Sequence, residues 1–290
     1  MTEEELLAGL MAGMNATPTM KLEEPEDEKI TFAKNHCGVI SASKVATLAT
    51  YQPDNDVICA LSDEIGELNY KIESSTTGKT VTAEKARDTK QAQLDRMLND
   101  NLPDGAVKWA EELAMMRLTG FNEVSDVSFD NKETKWGKDN EPLAVEALKR
   151  EYPLMDFRST CENQEFLLLD GFEKVGATPD AVVYASPFAL KWATLDIKCP
   201  FDRRIHGIDY KNIQSFAQFK RDYPLYYWQS TLQMMCAGVN HFIFASYDPR
   251  QTAPNDLFVH FFELVESDAV FLRSRIEKTE RLIESIIETF

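Results

Sequence analysis

The chain has no CxxC pair: its five cysteines, at 37, 59, 161, 199 and 236, are odd in number and scattered. That spacing excludes the usual zinc and iron–sulfur ligand patterns and fits a reducing compartment better than a disulfide scaffold. Long apolar runs are missing as well. The longest fall far short of a bilayer span, so no membrane partner is expected. The opening Met1-Thr-Glu-Glu-Glu-Leu-Leu carries no basic stretch, and no secretory leader is expected from it. Histidines 206, 241 and 260 show no ligand spacing and read as structural. Positive charge is scarce: 31 Lys and Arg stand against 48 Asp and Glu, a net charge of −17. Such a balance argues against a protein that coats nucleic acid over its whole surface.

What is present points to a globular protein. Of 290 residues, 43% are hydrophobic, enough for a substantial core. Residues 1–30 hold eight acids against two lysines and read as an acidic mobile arm. Residues 31–290 read as a single domain with a helical insertion at about 52–130. Charge is also segregated. Lys198 to Arg221 holds six basic residues against two acids, a local net charge of +4 on an acidic body. A DNA track would have that appearance, and so would a solvated loop with chance lysines.

Periodicity gives the outline. Ser41 or Ser43 opens a short helix, 52–78 reads as irregular, and Thr82–Asn99 and Asp104–Thr119 read as helices. Residues 120–135 read as loop, and Glu141-Pro142 opens a helix through Lys149, with proline in its first turn. Strands are expected at Glu165–Asp170, Asp180–Ala185, Lys191–Lys198, His241–Tyr247 and Leu257–Leu264. Helices are expected at Tyr226–Ala237 and Ser267–Thr289. This order is that of a mixed α/β domain.

Two short segments carry chemistry. Asp180 sits in Thr178-Pro-Asp180. Asp196 and Lys198 lie two apart in a strand-like run, which points both side chains to one face while Leu195 and Ile197 face the other way. Two carboxylates and a lysine converging at a sheet edge suit Mg²⁺-assisted phosphodiester hydrolysis, because Mg²⁺ takes oxygen ligands and keeps several waters. The bland alternative is a turn cap at Asp180 and an Asp196–Lys198 ion pair.

Further segments tip the balance. Trp136-Gly-Lys-Asp-Asn-Glu141, Thr178-Pro-Asp180, Asp196-Ile-Lys-Cys-Pro-Phe201, Tyr226-Tyr-Trp-Gln229 and Phe244-Ala-Ser-Tyr-Asp-Pro-Arg250 occur in order, with Gly38-Val-Ile-Ser-Ala-Ser43 before them. In this the chain resembles the phage lambda exonuclease (YqaJ-type viral recombinase) family of PD-(D/E)xK nucleases. The resemblance implies a mixed sheet flanked by helices and a Mg²⁺-dependent deoxyribonuclease, with Mn²⁺ as substitute. It also implies a 5′-to-3′ exonuclease on linear double-stranded DNA that releases mononucleotides and leaves a 3′ single strand.

The roles implied follow position by position. Asp180, Asp196 and the Ile197 carbonyl would hold metal, and Lys198, Gln229, Glu141 and Asp170 would serve catalysis. His36, Ser43, Thr178, Lys132 and Arg204 would contact DNA or its 5′-phosphate. His36 stands where the family has an arginine, and a neutral imidazole holds phosphate less firmly than a guanidinium. The family also implies a homotrimeric ring, a single-strand annealing protein as partner, and the cytoplasm of a bacterial host. A structure- or sequence-specific endonuclease with the same motif, and a catalytically silent DNA-binding accessory protein, are the rival readings.

Overall fold

The computed structural model describes residues 37–49, 55–75, 80–98, 101–120, 131–160, 163–185 and 190–290. The acidic segment 1–30 and His36 lie outside the described residues. In chain order the elements begin with β1 (Ile40–Ser41), a 3₁₀ turn (Val45–Thr47), α1 (Asn55–Glu73), α2 (Val81–Leu98), α3 (Asp104–Thr119) and α4 (Lys132–Glu151). Next come β2 (Met155–Arg158), β3 (Leu167–Leu168), β4 (Val175–Ala177), β5 (Ala181–Ala185) and β6 (Leu190–Lys198). A π-helical turn (Ile205–Tyr210), α5 (Phe216–Asp222), α6 (Pro224–Ala237), β7 (His241–Tyr247), β8 (Leu257–Glu263) and α7 (Glu266–Ile287) complete it.

The strands form a five-stranded sheet, ordered β2-β5-β6-β7-β8, and a three-stranded sheet, ordered β1-β4-β3. In the larger sheet β6 and β7 run parallel, with Lys198 opposite Ser246 at the end of the ladder, and the other pairs are antiparallel. Period-two alternation gives the two central strands a core on each face. Leu195, Ile197, Ile243 and Ala245 pack with Ala144, Val145 and Leu148 of α4. Phe242 and Phe244 point the other way, into a larger core with Phe219, Tyr227, Leu232 and Leu272. His206 is buried there and stacked on Phe258. Its Nε2 donates to the Asn255 carbonyl at 2.9 Å and its Nδ1 accepts from Ser246 at 2.8 Å, which makes it structural, as expected.

Several expectations are corrected. Much of the irregular stretch expected at 52–78 is α1, because Ile58, Leu61 and Ile65 pack on Leu94 and Met97 of α2 while the polar residues face outward. The helix expected to open at Glu141-Pro142 begins at Lys132. Asn131 caps it, accepting from the Thr134 N–H at 2.7 Å, and Pro142 lies inside. The Asn140 side chain donates to the Trp136 carbonyl at 2.7 Å in the turn before the proline. The helix expected from Ser41 is a short strand leading into the 3₁₀ turn. Strands β1, β2 and β4 were not legible, being only two to four residues long.

One partly buried ion pair ties the N-terminal loop to the last helix. Arg117 of α3 donates to both carboxylate oxygens of Glu280 at 2.7 Å and, through Nε, to the Gly38 carbonyl at 2.8 Å. Gly38 has φ +68°, and a Cβ there would meet Arg117 Cγ at 2.5 Å. Replacing Arg117 with Met strands two acceptors and should destabilise the protein by about 2–4 kcal/mol in urea unfolding. Replacing Arg158, whose pair with Asp156 is half exposed, should change little.

Candidate active site

The site forms where β6 leaves the sheet. Asp196 and Lys198 project from one face, and the Lys198 ammonium pairs with Asp196 Oδ2 at 2.7 Å. The Asp196 side chain is only 3% exposed, so this is a charge held at the rim of the core. Asp180 enters from the turn that follows β4. Its backbone N–H continues the β5–β6 ladder to the Leu195 carbonyl at 2.9 Å, and its Oδ2 accepts the Ile197 N–H at 2.6 Å. A strand residue's N–H and C=O point to the same edge, so the Ile197 carbonyl also faces the Asp180 side. α6 supplies Gln229, whose Nε2 donates to Asp196 Oδ1 at 3.4 Å, and Tyr226, whose ring lies 5.1 Å from the Lys198 ammonium. Glu141 arrives from α4, in the opposite layer, close enough to feel the charges of Lys198 and Asp196.

Three carboxylates therefore converge on one ammonium. Burial and the Asp196 charge push the Asp180 carboxyl up to about 8, against the opposing effects of Lys198 and the Ile197 N–H. Burial likewise raises Glu141, with Lys198 opposing and Asp196 adding. For Lys198, burial works to lower the pKa, but Asp196 and Asp180 outweigh it and hold the ammonium charged. Burial pushes the neighbouring Cys199 thiol up to about 12, helped by Glu141 and Asp180, so it is not a thiolate.

Among the described residues, no cluster of three or more His, Cys, Asp or Glu is placed to hold an ion. The donors that do converge are all oxygens: Asp180, Asp196 and the Ile197 carbonyl. That set fits a hard divalent cation that keeps most of its water, and such a cation would offset both the burial and the Asp196 repulsion that raise the Asp180 proton affinity.

The remaining expected residues fall into three groups. Ser43 and Thr178 lie just beyond the ends of the adjacent parallel strands β1 and β4, with the Ser43 and Ser41 hydroxyls 3.2 Å apart. Thr178 is two residues from Asp180 along the chain. Lys132 is exposed at the first turn of α4, nine residues and about 13 Å of helix before Glu141. Arg204 is paired with Asp209 at 2.8 Å. Asp170 is not drawn in: it sits exposed at a turn, its carbonyl accepts from Arg273, and its carboxylate is not among the principal charges acting on Asp180, Lys198 or Glu141.

The basic cluster at 198–221 is more neutralised than its composition suggests. Lys198, Arg204, Lys220 and Arg221 each have an acid partner. Sequence reasoning missed Gln164, whose amide donates to Asp180 Oδ1 at 3.2 Å. Nothing in its local pattern marks it, because the contact spans two loops.

The model of the YqaJ-like viral recombinase domain matches residues 31–240. No curated protein sequence matches the chain. Among solved structures, an alkaline exonuclease (LHK-Exo) from Laribacter hongkongensis superposes with a TM-score of 0.54 at 18% identity, covering 90% of this chain and 95% of that one. LHK-Exo in complex with dAMP gives 0.55 at 17% identity over the same shares. The likeness shows the fold, a mixed α/β arrangement of the PD-(D/E)xK kind.

In metal-free solution Asp180 should leave a pH signature. The unfolded chain loses this proton near the ordinary 3.8, whereas the folded protein holds it to about 8. Between those limits the folded state binds the extra proton, so the Asp180 contribution to stability falls as pH rises and levels off above 8. In EDTA, Asp180→Asn should flatten that slope and melt higher than wild type at pH 9, by roughly 1–3 kcal/mol of stability. Melting curves from pH 5 to 9 for both proteins check this.

Proposed function

Because the chain belongs to the YqaJ-like viral recombinase domain family, we propose that it is a divalent-cation-dependent deoxyribonuclease. It would digest linear double-stranded DNA from 5′ to 3′, releasing mononucleotides and leaving a 3′ single strand for phage-type recombination. The observation that carries this reading is the meeting of Glu141 of α4, Asp180 of the β4–β5 turn, Asp196 and Lys198 of β6 and Gln229 of α6 at the end of one strand. The structural neighbour being an alkaline exonuclease supports the same class.

Asp180, Asp196 and the Ile197 carbonyl would hold Mg²⁺, with Mn²⁺ as substitute. When bound, the ion would polarise the scissile phosphate and ease deprotonation of the attacking water. Lys198 stays charged and is fixed at 2.7 Å from Asp196, so its task is to offset charge on the transition state rather than to accept a proton. Gln229 spends an amide N–H on Asp196 and keeps its carbonyl oxygen to orient a water. Glu141, with its proton affinity raised, is suited to take up the proton that water loses.

Ser43 and Thr178 would receive the terminal phosphate, and Lys132 and Arg204 would contact the duplex further out. A ring-shaped homotrimer and a single-strand annealing partner complete the proposal. Among the described residues no helix is long and apolar enough to cross a membrane.

A time course on linear duplex labelled at one 5′ or one 3′ end, beside a closed circle, tests the reaction. Early release of the 5′ label as mononucleotide, an untouched circle and inhibition by EDTA are expected. Cutting of the circle would favour an endonuclease. Asp196→Ala and Lys198→Ala should each lower cleavage by about 100-fold or more while duplex binding changes by less than about threefold. Wild-type cleavage rates in either variant would remove these residues from the site.

A further inference from the structure

Arg250 ends the segment Phe244-Ala-Ser-Tyr-Asp-Pro-Arg250, lies outside the family match, and has no part in the site as built so far. Its side chain joins three elements. Nε and Nη2 grip the two carboxylate oxygens of Asp248 at 2.7 and 3.0 Å. Nη1 donates to the Phe201 carbonyl at 2.9 Å, and Nη2 donates also to the Pro200 carbonyl at 3.2 Å. The face of the guanidinium lies 4.4 Å over the ring of Trp136, which meets Phe201 edge-on at 5.9 Å.

The position of these partners gives the contact its meaning. The β6–β7 ladder ends at the pair Lys198–Ser246. Pro200 and Phe201 follow Lys198 by two and three residues, past the last rung. Trp136 lies on α4, five residues before Glu141. We propose that Arg250 is a positioning residue: it takes over from the ladder, fixing the exit of β6, and so Lys198, against the part of α4 that carries Glu141. This inference rests on the nuclease reading above.

Two features separate this role from a direct grip on DNA. Four hydrogen bonds to Asp248, Phe201 and Pro200 occupy Nε, Nη1 and Nη2, and the side chain is 21% exposed. Asp248 is fully buried, so its charge is already committed to Arg250. A lysine would keep the charge but not the planar fork or the stacking face.

The experiment compares wild type, Arg250→Lys and Arg158→Lys in steady-state cleavage of linear duplex with Mg²⁺, well below each melting temperature. Arg158 is also paired with an acid and stacked on a ring, Tyr184, but on strand β2, and serves as the control. Arg250→Lys should lower kcat by about 10- to 100-fold with KM within about threefold of wild type, as expected for misplacement of reacting groups. Arg158→Lys should match wild type. A kcat within about twofold of wild type in Arg250→Lys would overturn the proposal, as would a rise in KM alone with weakened salt dependence, the mark of a lost phosphate contact. If Arg250→Lys does not fold, Trp136→Leu removes only the stacking platform. A drop in its kcat at constant KM supports the proposal and an unchanged kcat overturns it. A wild-type protein that cleaves nothing would instead sink the nuclease reading, and this inference with it.

Discussion

The strict alternation of side chains along β6 is the constraint on which the rest of this structure depends. A strand with helices over both faces is ordinarily apolar on both. β6 is not. Ala193, Leu195 and Ile197 fill the core under α4, while Thr194, Asp196 and Lys198 point to the side where α6 and the larger core lie. A shift of one residue in the pairing of β6 with β7 would exchange the two sets and bury two charges against α4. Register is therefore enforced by the same residues that make the site.

Electrostatics and position are linked in the same way. Asp196 is almost wholly enclosed, and a single buried carboxylate would be severely penalised. Lys198 answers that penalty from the next position on the same face, two residues on. Asp180 and Glu141 add two more carboxyls, and burial first, with the Asp196 charge adding to it, raises the proton affinity of Asp180. The site is thus a place of desolvated, crowded carboxyls at the edge of a well-packed sheet, in keeping with the general tendency of function to sit where local stability is sacrificed.

Much of this was legible in the sequence, for physical reasons. β6 and β7 were readable because period-two patterning in a two-sided core leaves few alternatives, and α6 and α7 because their apolar faces are long. Asp180, Asp196, Lys198, Gln229 and Glu141 were found through spacing and motif order, and the structure brings them together. The start of α4 was missed because Pro142 imitates a helix start, while the true cap, Asn131, lies in a polar run. α1 was missed because its Asp, Asn and Ser residues mark a solvent face that resembles a loop until α2 is laid against it. The roles of Gln164 and Arg250 depend on contacts across 16 and about 50 residues of chain, which no local pattern encodes.

The helices α1 and α2 have a core of their own: Leu61, Ile65, Leu94 and Met97, with Ile58 beside them, form a cluster apart from the two that surround the large sheet. Among the described residues none of these side chains belongs to the two larger clusters, so the packing around the large sheet does not depend on them. For a protein engineer the hairpin is consequently a replaceable cassette. Fluorophores, affinity handles or a transplanted helix pair can be installed there without touching the layers that align the carboxylates.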